Sequence, residues 1–143
     1  MTIEAREFQA SDVHSLINHS RDVVFNPEMV ESDESSMALT LTKDGEVLAS
    51  MGAIILWEHV AEGWAILSQA GIMSPVAVTR FARQFIYEGM ISLNLHRLQS
   101  VCDDRFPAHA RWAQAIGFGI EGEMPLYTPD GATFIRLAIY RGH

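Results

Sequence analysis

Four groups of side chains in this 143-residue sequence have chemistry to offer. His109 titrates near neutrality when unperturbed, so it can serve as an acid or a base; it can equally bond a backbone carbonyl near a helix start. Cys102, the single cysteine, becomes a nucleophile only beside a histidine or a cation, and otherwise packs as a small hydrophobe. Asp103 and Asp104 follow it, where carboxylates either accept a proton or cap and solvate the chain ahead of Phe106-Pro107. Arg80 and Arg83, three apart, share a helix face in an otherwise apolar segment and can bind an anion or stay solvated.

Other patterns exclude whole classes of function. Residues 1–62 hold twelve acidic and three basic side chains (−9), and residues 63–143 hold six and seven (+1), which gives the net charge of −8. An anionic ligand therefore belongs to the second half, and with no run of Lys or Arg a nucleic acid is not an expected partner. The acidic cluster Glu28, Glu31, Asp33 and Glu34 can attract a basic molecule or simply be solvated. His14 and His19 are five apart and point to different faces of a helix, His59 and His96 add no ligand spacing, and no metal is expected. One cysteine excludes an intrachain disulfide framework. No apolar run approaches the roughly 18 residues of a membrane span. The start, Met-Thr-Ile-Glu-Ala-Arg-Glu, lacks the pattern of a secretory signal, so a cytoplasmic location is expected.

The elements that must position these groups follow from periodicity. Thr2 to Phe8 alternates as a first strand. Ser11-Asp12 starts a helix with an apolar stripe at Val13, Leu16 and Ile17, and a further helical piece over Arg21 to Val30 is interrupted by Pro27. Met37 to Thr42 and Glu46 to Glu58 read as a hairpin about Asp44-Gly45. A turn over His59 to Gly63 then leads to a strand, Trp64 to Ser68. Ser74 is a candidate N-cap and Pro75 suits the first position of the next helix, whose free amides and dipole favour an anion. Arg97 to Cys102 is a strand, Phe106 to Ile116 a helix stopped by Gly117, and Gly119 to Tyr127 and Thr133 to Arg141 are final strands. Trp57, Trp64 and Trp112 serve as core or line a groove. The order β-α-α-β-β-β-α-β-α-β-β implies one α/β domain over residues 1–143.

That order resembles the GNAT acetyltransferase superfamily. The start Ala5 to Asp12 resembles the family's first strand and helix start, and HARWAQAIGF, His109 to Phe118, resembles its late helix ending in Gly-Phe. The aromatic, Pro-Asp-Gly turn and last apolar strand are also similar. Gly63-Trp64-Ala65, the loop before Pro75 and the His-x-Arg-Trp helix look most like the small GNAT-like proteins of tailed bacteriophages. The resemblance implies a twisted, mostly antiparallel sheet of about seven strands with about four flanking helices. It also implies an acetyl-coenzyme A-dependent N-acetyltransferase of a primary amine, in a bacterial or infected-host cytoplasm, with a homodimer or host-protein partner as further expectations.

The resemblance assigns residues too. Leu67, Ser68, Gln69, Ala70, Gly71, Ser74, Arg80 and Arg83 are the expected coenzyme-binding set, with an amide near Leu67 or Ser68 on the thioester oxygen. His109 and Asp103 are the expected catalytic pair. Two departures bear on this. The family's R/Q-x-x-G-x-G/A phosphate loop is here Gln69-Ala70-Gly71-Ile72-Met73-Ser74-Pro75, with a single glycine, and Pro75 has no amide to give. The tyrosine often found four residues before the late Gly is Ala113, and Phe106 stands where an asparagine is common. These departures support a rival: an inactive GNAT-like phage protein that acts by binding a host or virion protein.

Overall fold

The computed structural model describes residues 3–14 and 36–142. The expected helical piece over Arg21 to Val30, His19 and the Glu28–Glu34 acidic cluster lie outside the described residues. The described chain runs β1 (Ile3–Glu7), α1 (Ser11–His14), β2 (Ser36–Lys43), β3 (Glu46–Trp57), β4 (Val60–Leu67), α2 (Gln69–Ile72), α3 (Pro75–Ser92), β5 (Arg97–Asp103), α4 (Pro107–Ala115), β6 (Gly119–Met124) and β7 (Phe134–Tyr140). The seven strands form one sheet in the order β1-β2-β3-β4-β5-β7-β6. Every pairing is antiparallel except β4 with β5.

Local chemistry explains the turns. Asp44 and Gly45 both take positive φ, 51° and 85°, as a tight two-residue hairpin requires. The next hairpin turns through Glu58 and His59 (φ 69°), so β4 starts at Val60 and not at Trp64. Gly63, expected in that turn, sits inside the strand, where a Cβ would come within 3.3 Å of the Leu98 side chain. Gly117 (φ 120°) ends α4 in a Schellman motif: its amide donates to Gln114 and that of Phe118 to Ala113.

Helix α2 has no counterpart in the sequence reading. It is one turn, opened by Ser68, whose hydroxyl accepts the Gly71 amide at 3.0 Å. Gly71 lies so close to β3 that a Cβ would sit 1.9 Å from the Leu48 carbonyl oxygen. Helix α3 follows at once and buries Val78, Ala82, Gly89 and Met90 against one face of the sheet. The opposite face carries a smaller cluster of Phe8, Val13 and Ile66, with Trp64 packed against it.

Candidate functional site

Strands β4 and β5 pair over only three residues, Val60–Glu62 with Arg97–Gln99. Beyond them β4 continues to Leu67 while β5 turns to β7, so the sheet opens in a wedge. Hydrogen-bond parity says which β4 groups face it. Ser68 donates its amide to Leu48 at 2.9 Å, one step beyond the Ala49–Leu67 pair. Amides alternate in direction along an antiparallel strand, so Ala65 and Leu67 turn theirs toward the wedge. The Gly63 carbonyl, of the same parity, accepts the Ser100 hydroxyl of β5 at 2.9 Å.

A cavity of about 240 Å³ occupies the wedge. Its walls come from both faces of the sheet: Met51 and Ala53 belong to the core beneath α3, Ile54 and Trp64 to the cluster around Phe8. Trp112 of α4 also lines it and donates its indole N–H to Thr79 at 3.1 Å. Trp57 does not; it stands exposed at the end of β3.

Glu62 is the one carboxylate lining this cavity among the described residues. Arg136 donates to both its oxygens (3.0 and 3.1 Å) and Gln99 to Oε1 (2.9 Å), which fixes its orientation. The sequence reading missed it because the turn placed at His59 to Gly63 hid the alternation. Read as a strand from Val60, the run puts Glu62 between the small residues Ala61 and Gly63, a signal for an acid over a gap.

His109 and Ala113 both line the cavity, one turn apart on α4, and the His109 ring stacks on Phe106 with centroids 5.2 Å apart. Cys102 is buried in the wall. Asp103 differs from expectation. It is fully buried at the end of β5, and Arg105 donates to both its oxygens, from Nε at 2.9 Å to Oδ1 and from Nη2 at 2.6 Å to Oδ2. That hydrogen bonding holds the Arg105 guanidinium above its ordinary pKa. Fully buried and absent from the cavity wall, Asp103 fastens the β5–α4 turn.

The backbone of the expected phosphate loop is bonded within the fold as well. Ser68 donates its hydroxyl to Val47 at 2.6 Å and its amide to Leu48, and the Gly71 amide is held by Ser68, so neither amide is available to an anion. Gln69 is exposed at the start of α2, while Ala70 packs against the core. Ser74 holds the cap position of α3 without a side-chain capping bond, and Pro75 is the first helical residue. The first backbone bond runs from Val78 to Ser74, which leaves the Val76 and Ala77 amides pointing out of the helix end. Pro75, Val76, Thr79, Arg80 and Arg83 line one open groove there. Neither arginine has a carboxylate partner among the described residues. No group of three metal-ligating side chains occurs among them either, and no described helix is long and apolar enough to cross a membrane.

Neither a protein-family model nor a curated protein matches the sequence. Solved structures match the fold. A variant of the spermidine N-acetyltransferase SpeG from Vibrio cholerae is 15% identical, with a TM-score of 0.76 over 96% of this chain and 93% of that one. A second variant of that enzyme is 16% identical at a TM-score of 0.70 (98% and 95%). The same enzyme in complex with manganese ions is 16% identical at 0.70 (96% and 92%). At such identity the likeness is one of fold, and the fold is the GNAT fold.

Proposed function

We propose that the chain is an acetyl-coenzyme A-dependent N-acetyltransferase acting on a primary amine of a small molecule or protein. The observation that carries this reading is the open wedge between β4 and β5, with two backbone amides turned into it. The coenzyme phosphates lie at the start of α3, on the amides of Val76 and Ala77 and on Arg80 and Arg83. Ala65 and Leu67 donate to the thioester oxygen as it gains charge. Holding thioester and amine together supplies much of the rate. Glu62, whose carboxylate keeps lone pairs beyond its bonds to Arg136 and Gln99, accepts the amine proton, and His109 returns one to the departing thiolate. The solved neighbours are spermidine acetyltransferases, which supports a basic, polyamine-like acceptor here. The sequence resemblance adds the setting, a bacterial or phage-infected cytoplasm.

A second reading has its own support. Pro75, and the bonded amides of Ser68 and Gly71, leave fewer donors for a pyrophosphate than a glycine loop would. A GNAT-fold protein without coenzyme would act as a binding protein, on a host or virion partner or as a homodimer. Thiol release from acetyl-coenzyme A with spermidine and other primary amines separates the two. The enzyme reading expects amine-dependent thiol release; no release with any amine, in a protein that acetyl-coenzyme A does not stabilise, favours the binding protein.

A further inference from the structure

We infer that the donor site takes acyl chains longer than acetyl, of roughly four to eight carbons, with the chain buried in the wedge cavity. The inference rests on the acyl-coenzyme A reading above and names the acyl class for that same site. Size comes first. An apolar void of about 150 Å³ accepts a benzene-sized guest. The wedge cavity measures about 240 Å³, far more than the methyl of an acetyl group fills.

Polarity comes second. Three polar side chains of the wall are bonded elsewhere, the Ser100 hydroxyl to Gly63, the Trp112 indole to Thr79, and Glu62 to Arg136 and Gln99, and most of the remaining lining side chains are apolar. His109 is exposed at the rim with its ring on Phe106. A wall of this kind offers water few partners and suits a hydrocarbon.

Position comes third, and decides between donor and acceptor as the guest. Ala65 both lines the cavity and turns its amide into the wedge. A thioester oxygen on that amide points the alkyl end of the acyl group into the cavity, with the coenzyme running outward toward α3. Small side chains keep the space open: Gly63 and Ala65 on β4, Ala82 and Gly89 on α3, and Ala113 on α4. In the transfer, the amine nitrogen attacks the acyl carbon, the C–N bond forms as the C–S bond breaks, the nitrogen loses a proton, and the thiolate leaves and gains one.

Calorimetry of the whole chain with coenzyme A and its acetyl, butanoyl, hexanoyl and octanoyl thioesters tests this without knowledge of the acceptor. The expected result is an affinity that rises about fourfold per buried methylene from acetyl to at least butanoyl, then levels where the cavity is full. In Ala113→Phe, which fills the wall, the hexanoyl advantage over acetyl is lost. Equal affinity for acetyl and all longer chains, or rejection of the longer ones, overturns the inference and leaves the acetyltransferase reading standing. No binding of any of the five ligands overturns both. Should Ala113→Phe fail to fold, the wild-type series decides alone.

Discussion

Gly71 and Ser68 pin the end of β4 to β3 through backbone contacts, and each makes a prediction at the scale of one residue. A methyl on Gly71 meets the Leu48 carbonyl at 1.9 Å, so Gly71→Ala lowers stability by about 1–3 kcal/mol in urea unfolding. Ser68→Ala loses a helix cap and a bond to Val47 and costs about 1 kcal/mol. These two residues were legible as part of a phosphate loop only by resemblance. Their packing role was not legible, because nothing local reveals how near β3 approaches. His109 was visible from its titration range, whereas Glu62 was hidden by a misplaced turn. If both move protons, Glu62→Gln and His109→Gln each lower kcat by about a hundredfold with little change in KM for acetyl-coenzyme A. A wild-type kcat in either variant removes that residue from the chemistry.

Strong local signals account for what could be read of the elements. The Asp44-Gly45 hairpin and the Pro75 and Gly117 helix boundaries lie where the sequence put them, because each is set by turn or cap chemistry, whereas β6 ends at Met124, three residues short of the expected Tyr127. Helix α2 escaped because four residues carry no period, and β4 began four residues early because Gly63 looked like a turn. Two ion-pair networks tie outlying elements to the sheet. Asp12 of α1 accepts from Arg6 of β1 and Thr40 of β2. Burial opposes its ionisation, yet the bonds from Arg6 and Thr40 outweigh it and hold the carboxyl below its ordinary value. Glu121 of β6, hydrogen-bonded by Arg97 of β5 and Tyr140 of β7, is lowered from 4.5 to about 2. Carboxyls lowered by folding add stability above their unfolded pKa and lose it as pH falls. Thermal melts should therefore drop between about pH 4.5 and about pH 2. Glu121→Gln should flatten that drop; an unchanged acid profile would show the network to be without effect on stability.

Across the whole molecule, charge and shape agree on where an anionic ligand can sit. The first 62 residues carry −9 and repel a polyanion, while the remaining 81 carry +1 and supply Arg80 and Arg83, free of carboxylate partners among the described residues. The order of elements was readable, and the resemblance implied the mostly antiparallel sheet and an amide near Leu67 or Ser68 for the thioester; the residues at which β4 and β5 stop pairing were not readable, being a long-range outcome of β5 turning to β7. The proposed function requires a coenzyme held with its phosphates at the start of α3 and its thioester in the wedge. Calorimetric titration of acetyl-coenzyme A into the wild-type chain and into the Arg80→Ala/Arg83→Ala double variant tests this most directly. The expected result is saturable one-to-one binding by the wild type and binding about tenfold or more weaker in the variant. No binding by the wild type, or equal affinity in the two proteins, would contradict it.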